Sequence, residues 1–353
     1  MAADPGQLPF YGGPAAWRGP DLRENRDWIY ALTPAEQREL LDAAAHSAAN
    51  GVALTDISRS DFPLPQLGEA LERLQDEIVN GRGFVMLRGL PIEDQPRELV
   101  ARLYLGIGAW IGEPVPQNAQ GHILGHVKDL GNDPLDPSTR IYTTTYRHLF
   151  HTDSCDIAAL LCLHPAKEGG ASAIASSTSI YNAIAERRPD LAEVLAEPFI
   201  VDRKGEIPAG KGPTYPMPIF NHFGGYMTVM YSRDFIEVAQ RRPETPRLTP
   251  AQIEAMDLVD TLAASDEFRL EMDFRPGDVQ FLHNHQILHA RTSYEDHPEP
   301  HRKRHLLRLW LSAPAGRPLP PAFAERYGEI RVGRRRGGIV VPGATLTAPL
   351  EAE

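Results

Sequence analysis

From about residue 140 to residue 312 the chain breaks into short apolar runs divided by Gly, Pro, Asn and Asp, and this punctuation restricts the fold more than any other feature. Runs at 141–146, 157–163, 171–176, 226–231, 270–274, 279–283, 287–291 and 304–312 read as strands, with helical stretches at 178–197, 234–241 and 250–264 between them. Many short strands with few helical insertions suit an α+β protein built on an antiparallel barrel or jelly roll clad in helices. A doubly wound sheet would alternate strand and helix throughout.

The first part of the chain has a different texture. Thr33 reads as an N-cap, Pro34 opens the first turn, Glu36 closes a capping box and Gly51 lies past the end. Leu67, Leu71, Leu74 and Ile78 share one face at helical spacing until Asn80-Gly81 stops them. Gly83 to Gly89 encloses a short apolar run that reads as a buried strand, and 95–111 is helical again. Residues 1–30, rich in Gly, Pro and aromatics, read as an irregular arm over the surface. The expectation is one domain over 1–353, with arm and helices to 82, a core at 83–312 and a C-terminal arm at 313–353.

Charge narrows the function. With 36 Lys and Arg against 47 Asp and Glu the net charge is −11, the wrong sign for a general binder of nucleic acid or anionic membrane. Arg334–Arg336 is a basic run within an acidic chain, suited to a subunit contact or to solvent. Cys155 and Cys162 are too few for a disulfide scaffold or a cysteine zinc site. The N-terminus lacks the basic-then-apolar pattern of a secretion signal, and no window reaches 18 apolar residues. These features predict a reduced, cytoplasmic globular protein with a small-molecule partner, no nucleic acid and no membrane. The long arms leave room for a homo-oligomer.

Three segments carry chemistry. In Phe150-His151-Thr152-Asp153, an extended backbone would aim His151 and Asp153 at one point. An imidazole and a carboxylate are two of the three ligands of a 2-His-1-carboxylate iron(II) site. Cys155 shares their parity and reads as a packed thiol, while Asp156 has the opposite parity and reads as structural. The second segment, Phe281 to Arg291, holds His283, His285 and His289. Spacing does not choose among them, and His283 with His285 is itself a possible metal pair. In the third, Arg304 to Leu311, alternation puts His305, Leu307, Leu309 and Leu311 on one face and Arg304, Leu306, Arg308 and Trp310 on the other. Arginines aimed into a barrel are costly unless an anion or an internal acid meets them; a bidentate carboxylate contact would offset that cost.

Taken in order, His151-Thr152-Asp153, Gly169-Gly170-Ala171-Ser172, Pro276 to Phe281, Asn284, Leu288-His289-Ala290-Arg291 and Arg304 to Arg308 resemble the taurine dioxygenase/clavaminate synthase-like superfamily over residues 83–312. The resemblance implies a double-stranded β-helix core with iron(II), 2-oxoglutarate and O2 as cofactor and co-substrates. It makes His151, Asp153 and His289 the metal ligands, choosing His289 because the family's distal ligand precedes Ala-Arg. It gives Arg304 and Ser172 the distal carboxylate of 2-oxoglutarate, and Arg308 the position where some members contact an anionic substrate. The loops the family uses for substrate add Gln117, Asn118 and His126, and Tyr142 to His148. The implied reaction is hydroxylation of a small molecule with release of succinate and CO2. Asp153 argues against halogenation, since halogenating members lack this carboxylate. Desaturation or cyclisation with the same cofactors, and a non-catalytic metal-binding jelly roll, are the alternatives. Arg304 discriminates the last, because a structural metal has no use for a buried carboxylate partner.

Overall fold

The computed structural model describes residues 8–136 and 138–352. The helix Pro34–Ala49 starts on the reciprocal capping box of Thr33 and Glu36, and Gly51 follows its end at φ 68°. Helices Leu67–Val79 and Arg97–Ile111 complete an N-terminal layer. Nine strands matter for the site: β1 (Phe84–Arg88), β2 (Leu124–Lys128), β3 (His148–His151), β4 (Ile157–His164), β5 (Ser172–Ser176), β6 (Arg269–Met272), β7 (Val279–His283), β8 (Ile287–Arg291) and β9 (His305–Ser312). The larger sheet runs Ile29–Ala31, β1, β7, β4, β9, and both Glu113–Pro114 and β2 pair with β9. The smaller sheet runs β6, β5, β8, β3, antiparallel throughout.

Strand alternation sorts the side chains into layers. Leu307, Leu309 and Leu311 of β9 face out and pack with Leu40, Leu71 and Ile107 of the helical layer. Trp310 faces in, joining Phe84, Met86 and Leu282 of the larger sheet and Ile174, Leu270 and Ile287 of the smaller one. The outer face of the smaller sheet, through Ala173, Ala175 and Leu288, packs under Ser177–Arg187, Pro189–Leu195 and Pro250–Ala264. Each fully buried leucine in these layers contributes roughly 1.5–3 kcal/mol. Two sheets with helices outside and a shared interior follow from the period-2 pattern.

Some expectations are corrected. Residues 141–146 form no strand: Ile141–Thr143 is a 3-10 turn, because the hydroxyls of Thr143 and Thr144 bond back to the carbonyls of Arg140 and Ile141. The helix expected over 178–197 is two, divided at Arg188 where Pro189 opens a new first turn. The N-terminal arm, of which residues 1–7 lie outside the described residues, is more than a surface cover. Ile29–Ala31 pairs in parallel with β1, and buried Trp17 and Trp28 pack their rings 5.4 and 5.8 Å from Phe84. Among the described residues no helix is long and apolar enough to cross a membrane.

Candidate metal centre

Strand β3 ends at His151, which lies in register with His289 of β8. That pairing sets the two imidazoles side by side, ring centroids 4.2 Å apart. The chain then leaves the sheet earlier than alternation predicts. Thr152 N donates to Tyr231 O at 2.7 Å, and Asp153 N donates to Asn284 Oδ1 at 3.0 Å. The loop still turns the Asp153 carboxylate to the same point, with Oδ1 3.9 Å from His151 Nε2 and Oδ2 3.7 Å from His289 Nε2. One donor atom from each residue lies within 4.8 Å of the others, and among the described residues this is the one such group of His, Cys, Asp or Glu.

The protonation states suit a cation. His151 Nδ1 sits 2.8 Å from Leu149 O, so its N–H is donated there and the Nε2 lone pair faces the centre. Burial pushes His289 down to about 3, helped by its neighbours His151 and Arg308 and opposed by Asp153, so the ring is neutral. His148 stacks on His151 with centroids 3.7 Å apart, and burial keeps it neutral as well. Burial would raise the Asp153 carboxyl, but Arg308, the two imidazoles and a 2.8 Å hydrogen bond from Trp310 Nε1 to Oδ2 hold it below the usual carboxylate range. The Nε2 atoms of His151 and His289 with the Asp153 carboxylate make a donor set that fits iron(II).

The other two histidines are directed elsewhere. His285 Nε2 lies 2.8 Å from Asp156 Oδ1, and fully buried His283 has no hydrogen-bond partner on either ring nitrogen among the described residues. Asp156 and Cys155 are packed as expected; Cys155 Sγ accepts from Asn284 Nδ2 at 3.0 Å.

One cavity is lined by the triad together with Leu160, Leu282, Ser172, Arg304 and Arg291. Arg304 is only 3% exposed, its Nη1 has no partner, and its Nη2 makes one long contact of 3.4 Å to Gly170 O. Arg291 spans to the carbonyl of Thr144 at 2.9 Å and to that of Tyr146, and both guanidiniums lie over the Tyr294 ring. Burial first, then the charge of Arg304, lowers Arg291 to about 10. Among the described residues neither arginine has a carboxylate ion-pair partner. A buried, uncompensated guanidinium facing a cavity fits an anionic ligand.

Arg308 lines both this cavity and a second inner one, whose wall includes Tyr142, His148, Met217, Met230 and Phe235. Its Nε donates to Gln117 Oε1 at 2.7 Å, its Nη1 is 3.8 Å from Asp153 Oδ1, and it lies over the rings of Tyr142 and Trp310. Asn118 and His126 do not reach this inner space. Asn118 bonds the His122 ring and the backbone of its own loop, and His126 is held between His305 Nε2 at 2.8 Å and Pro349 O at 2.9 Å. Both border an outer cavity that shares Gln117, Tyr142 and Arg308 with the inner one. Alternation already aimed Trp310 inward. Asn284 carried no ligand signal, and nothing in the pattern pointed to Arg140, Lys204 or Arg326, which arrive from distant segments.

A family model described as taurine catabolism dioxygenase TauD, TfdA family matches residues 49–310. The chain belongs to the TauD/TfdA dioxygenase family. The oxygenase is 30% identical over 327 residues to FR-33289 synthase of Streptomyces rubellomurinus, covering 90% of this chain and 94% of the relative. Its fold is similar to an asparagine oxygenase solved with Fe(II), 3-hydroxyasparagine and succinate (TM-score 0.64, 16% identity, 81% of this chain and 93% of that one). It is also similar to the non-heme iron oxygenase OrfP solved with Fe and α-ketoglutaric acid (TM-score 0.60, 17% identity, 80% and 93%). The family uses iron(II), 2-oxoglutarate and O2, and the oxygenase is a 2-oxoglutarate-dependent non-haem iron dioxygenase.

Proposed function

We propose that the oxygenase hydroxylates a small molecule, with His151, Asp153 and His289 holding iron(II) and with Arg304 and Ser172 receiving the distal carboxylate of 2-oxoglutarate. The observation that carries this reading is Arg304: a buried guanidinium that has no carboxylate partner among the described residues and lines the same cavity as the triad. The two facing sheets are read as a double-stranded β-helix, and the chain as one domain with arms at both ends.

Bound iron(II) supplies activation of O2 and abstraction of hydrogen from an unactivated C–H bond. The remaining work belongs to the chain. The Leu149 carbonyl keeps His151 in the ligand tautomer, and Asn284 and Trp310 hold the Asp153 backbone and carboxylate. Arg304 orients the dicarboxylate, and Arg308 stands on the substrate side. The wall of Tyr142, Met217, Met230 and Phe235 excludes water from the substrate. The balance is substrate C–H, O2 and 2-oxoglutarate giving C–OH, succinate and CO2. Support comes from the family, and from Asp153, whose presence fills the position that halogenating members leave open.

Anaerobic reconstitution with iron(II) followed by 2-oxoglutarate tests the reading. A visible metal-to-ligand charge-transfer band is expected, with succinate appearing when O2 is admitted. Folded protein that gives neither band nor succinate would overturn it.

A further inference from the structure

The inner cavity has more positive charge than its acids can balance. Among the described residues, Arg140, Lys204, Arg308 and Arg326 are its lysine and arginine side chains, and Asp153 and Asp234 its acids. Asp234 is occupied by Lys204, with Nζ to Oδ2 at 2.7 Å. Arg140 and Arg326 share one carboxylate from outside this lining, Glu206, at 2.5 and 3.8 Å. Among the described residues, Arg308 has Asp153 as its one carboxylate partner, and the metal would take that charge. Two positive charges are left over, in a space whose other walls are largely apolar.

The cavity also lacks a place for a cation. An ammonium group, such as the α-amino group of an amino acid, needs a free carboxylate, and here each acid already has a partner. A second observation sets this wall apart: Lys204 adopts φ 47°, one of two positive-φ non-glycine residues described. Such strain persists where surrounding structure or function demands that side chain. The Lys204–Asp234 pair packs over Phe235 and closes the wall without adding net charge.

We propose that the substrate carries two negative charges on a partly apolar body, one met by Arg308 beside the metal and the other by the Arg140–Arg326 pair. Tyr142 and Phe235, already stacked under Arg308 and Arg140, would hold the body between them. Arg326 is anchored by Nε to Ser154 Oγ at 2.7 Å, next in sequence to Asp153, which ties this contact to the metal loop. The proposal rests on the assignment of the triad and the 2-oxoglutarate pocket made above.

The test uses the iron(II)·2-oxoglutarate holoenzyme under anaerobic conditions. Calorimetric titration compares phenylphosphonate with benzenesulfonate, its isostere with one charge fewer, above the second ionisation of the phosphonate. Homophthalate tests two separate carboxylates, and benzylamine a cation. One of the dianions binds roughly tenfold or more tightly than benzenesulfonate, and benzylamine does not bind. Which dianion binds better tells whether the charges sit on one group or two. Arg140→Gln and Arg326→Gln each remove most of that preference while leaving benzenesulfonate affinity and the 2-oxoglutarate band in place. Arg140, partly exposed, keeps the test open should Arg326→Gln fail to fold. Equal binding of mono- and dianions by the wild type, or variants that keep the preference, overturns the proposal. Absence of the 2-oxoglutarate band would instead overturn the assignment beneath it.

Discussion

Asp153 and Asp156 lie three residues apart, both buried, and their surroundings are opposite. Asp156 is saturated: it accepts from His285 Nε2 at 2.8 Å, from Arg336 Nε at 3.0 and 2.9 Å, and from Ala313 N at 2.9 Å. Asp153 accepts one hydrogen bond, from Trp310, and its nearest charged or imidazole neighbours stop at 3.7–3.9 Å. One carboxylate ties the C-terminal arm to the core. The other keeps coordination capacity in reserve, as does Arg304 across the cavity. The difference teaches that burial alone does not mark a site in this fold; unfilled polar capacity that also lines the inner cavities does.

Variants at the two centres sharpen the contrast. The largest effect is expected from His289→Ala, which abolishes the charge-transfer band of the iron(II)·2-oxoglutarate complex, whereas His283→Ala leaves it largely intact. The reverse result would move the distal ligand. Asp156→Asn strands the Arg336 charge in the interior and should cost about 3–5 kcal/mol in chemical denaturation. Asp153→Asn should cost less in metal-free protein, since its carboxylate accepts a hydrogen bond from Trp310 and its ion pair with Arg308 is a long 3.8 Å. Equal losses at both positions would erase the distinction.

Arg304→Ala should weaken 2-oxoglutarate binding by about 2–5 kcal/mol, measured by titrating the band; a twofold change would place the arginine outside the ligand. Trp310→Phe keeps the packing and deletes the indole donor, so iron(II) affinity in equilibrium dialysis should fall by roughly 10–100-fold. The smallest effect is in acid. Burial would raise the Asp156 carboxyl, but His285 and Arg336 outweigh it and hold it below its unfolded value. Its contribution is therefore complete above an unfolded pKa of about 3.9 and is lost as pH falls through the folded value. The stability gap between wild type and Asp156→Asn should close only below about pH 4, and a gap that closes at neutral pH would contradict this electrostatic origin.

Much of this was legible in the residues. Alternation along β9 separated the leucines under the helices from Arg308 and Trp310 inside, with Arg304 just before the strand, and it did so because a strand's side-chain period is fixed at two. The capping box at Thr33 and Glu36 set the first helix for an equally local reason. Local logic also failed in identifiable places. Thr143 and Thr144 turned their hydroxyls onto backbone carbonyls and replaced a strand with a turn. His126, in a loop suited to substrate, was captured by His305 and Pro349, partners 179 and 223 residues away.

The sequence by itself offered the candidate donors: His151 and Asp153 two apart, three histidines at 283, 285 and 289 among which the family resemblance chose His289, and inward arginines at 304 and 308. Only the tertiary structure decided which of these groups are left without partners. The β3–β8 register brings His289 to His151, Asn284 turns Asp153 toward them, and Arg336 satisfies Asp156 while, among the described residues, Arg304 is left without a carboxylate. Satisfaction depends on atoms far apart in the chain, so no local spacing encodes it.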